Sequence, residues 1–383
     1  MKDKIFLGRC GKNCVFFDAQ RLYNSHVTIL GKSGAGKSVA AQKLLLEMVE
    51  GGQDVTVLAF NAHDCLNRET IYEGIRKDFL QNSIYRDLSN GELKLPLFEK
   101  TVMPNGRMKS DVDIVMSLTD ALSKPFALKS RQRIMLRKAI EQVMHKEIYH
   151  KEGIAAIGNQ LLALGDDVAE NVYDKMYGIF GHNIFVDGND FITQGKINIV
   201  DLSYLDSDSQ AVAIEVVLSQ LWNMALSCQI HKYKNVYVFI DEVQNIKYST
   251  SGMLSILLSE GRKFGINLIL ATQVVTLNNA NPTQRKMLQS GLVLYFQPSD
   301  CDMNMIAKMI DPKNPGQWVM ELRFLNVGEY IVSGPIIIDG VEAMGPITVS
   351  GVDVDKADIS AEVTPDHLDT RCHFVEPPQE NMN

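Results

Sequence analysis

Several features that define protein classes are missing from this chain of 383 residues. No apolar run approaches the roughly 20 residues that a membrane-spanning helix needs. Residues 1–9 lack the apolar core of a signal peptide, so we expect a cytoplasmic protein without a membrane span. The six cysteines are scattered and do not suggest a disulfide framework. Cys10 and Cys14 form one close pair, and without a second close pair they do not predict a zinc site.

A surplus of positive charge is also missing, since the net charge is −8. Residues 351–383 hold eight acidic and two basic side chains, which leaves about −2 for the other 350 residues. We expect this segment to be an acidic tail, or an arm that becomes ordered only against a partner. The nearly neutral body argues against a broad basic face that wraps nucleic acid, although it is compatible with nucleic-acid binding.

A complete phosphate-binding motif is present near the start of the chain. The apolar run 27–30 predicts a strand, residues 31–36 form a glycine-rich turn, and a helical pattern follows Lys37 and Ser38. Lys37 is placed to contact the β- and γ-phosphates of a nucleoside triphosphate, and the Ser38 hydroxyl to ligate Mg²⁺. The residues predicted to contact the nucleotide are Gly31, Lys32, Ser33, Gly34, Ala35, Gly36, Lys37, Ser38 and Val39. The sequence therefore predicts that ATP and Mg²⁺ are the cofactors.

A second motif pairs with the first. The apolar run 236–240 predicts a buried strand, and it ends in Asp241 and Glu242. In a Walker B element the aspartate helps to hold Mg²⁺, and the following glutamate can polarise the attacking water. The alternative is an idle surface pair. We predict Ser38 and Asp241 as the Mg²⁺ ligands, and Lys37 and Glu242 as catalytic residues.

Polar residues follow two further apolar runs. Residues 266–273 predict a strand that ends at Thr272 and Gln273. The Gln273 side chain could sense the γ-phosphate or the attacking water, or it could only form hydrogen bonds at the end of the strand. Residues 61–64 follow another apolar run, at the strand end where ligand sites of open α/β sheets lie, and they could also form an ordinary turn.

Continuous apolar runs separated by helical patterns predict an α/β fold with a mostly parallel central sheet, and the phosphate loop predicts a P-loop NTPase. Most of 65–190 has a helical pattern, so we interpret it as an all-helical insertion. Its basic stretch 121–140 could bind phosphates or an acidic partner, or form the solvated face of a packed helix. The predicted division is a first core part at 1–64, the insertion at 65–190, a second core part at 191–350 and the tail at 351–383.

The order of these segments resembles the HerA/FtsK branch of RecA-like ATPases. The resemblance covers about 21–334, and the segment "GRKFGINLILATQ" is its most diagnostic part. The other carrying segments are "HVTILGKSGAGKS", "FNAHD", "PFALKSRQRIMLRKAI", "INIVDLSYL", "VYVFIDEVQN" and "FLNVGEYIVSG". The resemblance implies a homo-oligomeric ring, usually a hexamer, that pumps double-stranded DNA and has ATP sites between subunits.

The resemblance also assigns roles. Lys37 and Ser38 match the phosphate-loop residues, Asp241 and Glu242 match the Walker B pair, and Gln273 matches the polar residue that ends the following strand. Arg262 matches a position where relatives place an arginine proposed to reach a neighbour's nucleotide; alternatively it caps a helix. Relatives usually carry an N-terminal barrel, and they often have Asp in place of Asn61, which weakens a magnesium or water role there.

Three functions fit these features. The first is a ring-forming, ATP-hydrolysing motor that translocates or unwinds double-stranded DNA with a partner nuclease or sirtuin-like effector. The second is an oligomeric ATPase scaffold that regulates an effector enzyme, as in anti-phage defence. The third is a coupling ATPase for conjugation or type IV secretion. For the motor, we expect few residues to grip DNA inside a pore, with Lys247, Arg285 and Lys286 as candidates.

Overall fold

The computed structural model describes residues 4–18, 24–51, 55–91, 93–103, 105–227, 235–245, 252–273 and 282–351. Lys247 and the tail beyond Gly351 lie outside these residues. Within the described ranges, none of the helices has the length and apolar character needed to cross a membrane.

The strands, numbered in chain order, comprise one large sheet and one small pair. Their bounds are β1 Ile5–Cys10, β2 Asn13–Phe17, β3 Val27–Leu30, β4 Thr56–Asn61, β5 Ser83–Asp87, β6 Lys94–Leu95, β7 Val186–Asp187, β8 Ile197–Asp201, β9 Val236–Ile240, β10 Ile266–Thr272, β11 Leu292–Tyr295, β12 Glu329–Ser333, β13 Pro335–Ile338, β14 Val341–Met344 and β15 Ile347–Ser350.

The helices cover both faces of the large sheet, and those in the chain segment that connects β5 to β8 form a helical layer. Their bounds are α1 Lys37–Glu50, α2 Arg76–Gln81, α3 Asp111–Ser123, α4 Ser130–Met144, α5 Ala155–Ala163, α6 Asp167–Lys175, α7 Tyr177–Gly181, α8 Ser207–Leu226, α9 Met253–Glu260, α10 Pro282–Met287, α11 Asp300–Ile310 and α12 Pro315–Phe324.

Among the residues that the structure describes, the large sheet has 13 strands and two halves. Seven strands run parallel in the order β11-β3-β10-β9-β4-β8-β5, which confirms the predicted α/β fold with its parallel core. Beside β11 the order continues as β12-β15-β1-β2-β13-β14 with antiparallel pairing. The N-terminal strands, expected as a short lead-in, therefore pair with strands from the other end of the described chain.

Side chains of the central strands alternate between two apolar cores. In β9, Val236, Val238 and Ile240 pack into the core that contains α8 and the helical layer. Tyr237 and Phe239 point to the opposite face, into the core that contains α1. Because both faces are covered, all five residues of β9 are buried, and the strand reads in the sequence as an uninterrupted apolar run.

The predicted insertion at 65–190 is not helical throughout. Strand β5 lies in this range, and it pairs in parallel with β8 at the edge of the large sheet. The sequence did not reveal β5 because Arg86 interrupts its apolar residues. Arg86 is nonetheless buried, and its guanidinium donates to Asn198 Oδ1 at 3.1 Å and to the Asp190 carbonyl at 3.2 Å. The helical layer itself comprises α3 to α7, from 111 to 181.

One buried histidine links three elements at the amino end of the phosphate-loop strand. His26, which is 2% exposed, accepts a hydrogen bond at Nδ1 from the Leu268 amide at 3.0 Å. Its ring also hydrogen-bonds the Leu258 backbone, and burial lowers its pKa from 6.5 to about 4. The folded protein therefore holds this imidazole in its neutral form.

We expect stability to fall as the pH drops from 6.5 towards 4. In this window the unfolded chain protonates His26 and the folded chain does not, so protons favour unfolding. A pKa difference of this size corresponds to roughly 3 kcal/mol once the pH is below 4. Denaturant unfolding of wild type and His26→Gln between pH 7 and pH 4.5 measures the effect, and the variant should lose less stability on acidification. Equal pH dependence in the two proteins would contradict a neutral buried His26.

Candidate active site

The phosphate loop lies between the end of β3 and the start of α1. Its backbone has a left-handed conformation at Gly34 (φ 76°) and Gly36 (φ 100°), which residues other than glycine rarely adopt. A Cβ at Gly36 would also lie 2.8 Å from the Gly328 nitrogen. No described side chain caps α1, so its first amides point into the loop and can bind phosphate oxygens.

Three neighbouring segments hold the loop in place. The Lys32 amide donates to the Gln297 carbonyl at 2.9 Å, just after β11. The Gly31 amide donates to the Thr272 carbonyl at 3.3 Å, at the end of β10. The Gly328 amide, before β12, donates to the Ala35 carbonyl at 3.0 Å. The loop is therefore supported from both halves of the sheet.

Lys37 is the first residue of α1, and its side chain folds back over the loop. It is 6% exposed, and Nζ donates to the Lys32 carbonyl at 3.0 Å. Burial lowers the pKa of Lys37, while the negative charges of Glu242 and Asp241 act in the opposite direction. The neighbouring Ser38 is exposed and Val39 is half-buried. The ammonium group thus lies between the loop and the two carboxyl groups that follow β9.

Asp241 follows β9 and is 8% exposed. Burial raises its pKa, whereas hydrogen bonds from the Cys65 thiol and the Glu242 amide (2.9 Å) lower it. A carboxylate and a hydroxyl are the hard oxygen ligands that Mg²⁺ prefers, so Asp241 and Ser38 fit this ion. The described residues contain no group of three or more His, Cys, Asp or Glu side chains that could hold a metal ion. Mg²⁺ usually takes few protein ligands and completes its shell with phosphates and water.

Glu242 is held by two glutamine side chains. Its backbone has φ 48°, an unusual value for a residue other than glycine. The Gln244 amide donates to Oε2 of Glu242, and the Gln273 amide donates to Oε1. Gln244 Oε1 accepts from Thr272 Oγ1 at 2.7 Å and from the backbone N–H of Gln273 at 3.3 Å. The structure therefore brings Gln273 to Glu242.

Gln244 is the residue of this network that the sequence analysis missed. It follows the Walker B pair by two residues, in a short 3₁₀ turn at the same sheet edge as Gln273. A polar residue so close to Glu242 was a usable signal. Only the placement of β9 beside β10 shows which groups its side chain reaches.

Two other candidates have different surroundings. Arg262 is exposed in the 3₁₀ turn that precedes β10, at the opposite end of the strand from Gln273. The seven residues of β10 separate the two ends by roughly 23 Å, so Arg262 is remote from the phosphate loop of its own chain. Asn61 is buried, and its side chain bonds Asp201 Oδ1 at 3.2 Å and the Leu66 amide at 3.1 Å. These bonds shape the turn after β4 and favour the structural interpretation of Asn61.

Comparison with a solved VirB4 structure supports the fold. The chain is similar to VirB4 of Thermoanaerobacter pseudethanolicus, with a TM-score of 0.66 and 16% identity over 93% of this chain and 98% of that chain. It is also similar to the plasmid coupling protein TrwB in complex with ADP and Mg²⁺, with a TM-score of 0.48 and 15% identity over 86% of this chain and 87% of that one.

Sequence comparison identifies the family. The chain is 23% identical over 364 residues to a probable helicase of Methanocaldococcus jannaschii, a match that covers 84% of this chain and 62% of that protein. The chain thus spans less than two thirds of that relative. The family model for the central domain of helicase HerA matches residues 5–221, more than half of the chain. With its phosphate loop and Walker B strand on a RecA-like fold, this chain belongs to the HerA helicase central-domain family of P-loop ATPases.

Proposed function

We propose that this protein is a ring-forming, ATP-hydrolysing motor that moves double-stranded DNA. The main support is the meeting of the phosphate loop, Asp241, Glu242 and Gln273 at one edge of three adjacent parallel strands, β3, β10 and β9. These groups supply a phosphate cradle, an Mg²⁺ ligand and a general base, the parts that phosphoryl transfer to water requires. The resemblance to ring-forming DNA motors extends the proposal from hydrolysis to translocation.

Each residue has a distinct role in the proposed hydrolysis. Lys37 binds the β- and γ-phosphates, and the amides at the start of α1 orient them. Ser38 and Asp241 hold Mg²⁺, which when bound neutralises phosphate charge. Glu242 orients the attacking water and accepts its proton, and Gln273 contacts the γ-phosphate or that water. Burial of Lys37 and Asp241 strengthens their electrostatic interactions with the bound nucleotide.

Substitutions of Lys37 and Glu242 test the site. Lys37→Ala should abolish ATP hydrolysis, because it removes the ammonium group that contacts the negatively charged β- and γ-phosphates. Glu242→Gln should bind ATP normally and reduce kcat by about 10²- to 10⁴-fold, the usual contribution of a general base. Steady-state hydrolysis and equilibrium binding of a fluorescent ATP analogue measure the two effects. Lys43→Ala, in the same helix, is the control and should keep its turnover. Wild-type turnover in either site variant would refute the assignment.

We further propose that ATP sites are completed by a neighbouring subunit through Arg262. The exposed Arg262 lies at the opposite end of β10 from its own phosphate loop, so a role in hydrolysis requires the nucleotide of another subunit. An arginine supplied in this way stabilises the charge of the transition state and can contribute 10³- to 10⁵-fold in rate. In this arrangement a ring, expected to be a hexamer, is needed for activity.

Mixed rings test whether Arg262 acts between subunits. Lys37→Ala and Arg262→Ala proteins should each be inactive alone. Mixing them should restore part of the ATPase activity, because some interfaces then combine an intact Lys37 with an intact Arg262. Native mass spectrometry establishes that the rings are mixed. If verified mixed rings show no recovery, Arg262 acts within its own chain or has a structural role.

Two other functions share the same site. One is a coupling ATPase for conjugation or secretion, because the VirB4-like fold extends over 93% of the chain. The other is an oligomeric scaffold that regulates a nuclease or another effector. Stimulation of hydrolysis by duplex DNA separates the motor from the scaffold, since a motor couples each step on DNA to turnover and a scaffold does not require this coupling.

The basic residues of the described chain differ in their availability for DNA. In α4, Arg133 pairs with Asp120, and Arg137 Nε lies 3.5 Å from Glu141 Oε1. In α10, the Lys286 ammonium donates to Ser255 Oγ at 3.1 Å. These contacts give the three side chains partners within the chain. Arg285 in α10 and Arg131 in α4 are exposed, so they provide a matched pair of arginines from the two candidate DNA surfaces.

We expect duplex DNA to stimulate ATP hydrolysis and Arg285→Ala to weaken that stimulation. Each lost phosphate contact should reduce the slope of log affinity against log salt by about 0.9, and more if several subunits contribute. Salt titrations of DNA binding, together with hydrolysis with and without DNA, compare Arg285→Ala with Arg131→Ala. Basal hydrolysis should remain unchanged in both variants. Loss of DNA binding only in Arg131→Ala would move the DNA surface to the helical layer.

A further inference from the structure

We propose that Gln244 is a positioning residue that fixes the carboxylate of Glu242 and connects it to the end of β10. The inference rests on the proposed role of Glu242 in hydrolysis. It assigns a function to a residue that belongs to neither the phosphate loop nor the Walker B pair.

The hydrogen bonds of Gln244 form a closed ring. Its side-chain nitrogen donates to Glu242 Oε2, and its side-chain oxygen accepts from Thr272 Oγ1 and from the backbone N–H of Gln273. The Gln273 side chain closes the ring by donating to Glu242 Oε1. Gln244 thus joins the turn after β9 to the end of β10, the two segments that carry the base and the γ-phosphate sensor.

The chemistry of this position suits glutamine. The side chain must donate to a carboxylate and accept from two donors at the same time, which an amide can do. A glutamate would lose the donor and place a second negative charge against Glu242. A methionine would keep a similar length while losing both hydrogen-bonding functions. Glutamine and methionine at this position therefore differ mainly in these bonds.

Glu242 needs this support for two reasons. Its backbone has the left-handed φ of 48°, a strained conformation for a residue other than glycine that persists only when the surroundings maintain it. In addition, the side-chain amide of Gln273 is the group proposed to contact the γ-phosphate or the water. When it does so, it no longer holds Oε1, and Gln244 then keeps the carboxylate oriented. A displacement of about 1 Å at a catalytic group can cost 10²-fold in rate.

The test compares Gln244→Met and Gln244→Ala with wild type. Both variants should lower kcat by about 10- to 100-fold, while KM and the affinity for ATP change less than about twofold. Gln132→Met is the matched control, since Gln132 also donates and accepts through its side chain, to Asn171 Oδ1 at 2.7 Å and from the Lys129 amide at 3.0 Å, but in the helical layer. Its kcat should remain at the wild-type value. An unchanged kcat in both Gln244 variants overturns the inference.

A double-mutant cycle establishes whether Gln244 acts through Glu242. Single-turnover hydrolysis is measured for Glu242→Gln with and without Gln244→Met. The second change should alter the residual rate less than threefold, because the carboxylate that it positions is already gone. An equal fold-loss in both backgrounds overturns the inference and gives Gln244 an independent role. Wild-type turnover in Glu242→Gln alone refutes the base itself, and the inference falls with the proposed function.

Discussion

The parallel register of β3, β10 and β9 is the constraint on which the active site depends. Leu270 of β10 is aligned with Ile240 of β9, and Thr272 is aligned with Leu30 of β3. Parallel strands end at the same edge of a sheet, so these alignments bring the phosphate loop, the Walker B pair and Gln273 together. A shift of one residue in either pairing would turn the strand's buried side chains to the opposite core. The apolar packing that stabilises the sheet therefore also sets the distances in the site.

Buried opposite charges are the electrostatic counterpart of this arrangement. Burial acts against the charged forms of both Lys37 and Asp241, since it lowers the pKa of the lysine and raises that of the aspartate. The negative charges of Glu242 and Asp241 favour the protonated lysine. Removal of either partner would leave an uncompensated charge with little access to water. The site therefore keeps its charges in proximity, and the strong interactions expected with ATP and Mg²⁺ follow from the same burial.

The antiparallel half of the sheet contributes to the site through the phosphate loop. The turn before β12 donates from Gly328 to the Ala35 carbonyl, and a side chain at Gly36 would collide with this turn. Strand β12 pairs with β15, and β1 pairs with both β15 and β2. A segment about 290 residues downstream therefore helps to shape a loop near the start of the chain.

The sequence by itself determined the fold class and the catalytic motifs. Parallel strands covered on both faces are apolar throughout, so local residues were sufficient to predict β3, β9 and β10. The phosphate loop requires glycine and lysine at fixed spacing, and the Walker B pair follows a buried strand, so local residues also predicted Lys37, Asp241 and Glu242. Only the tertiary structure placed β5 in the sheet, because Arg86 is buried through hydrogen bonds to distant residues. Tertiary structure likewise revealed the contacts of Gln244 with Glu242 and Thr272 and the remoteness of Arg262 from its own phosphate loop. These features depend on the alignment of strands far apart in the chain, and local sequence patterns carry no record of that alignment.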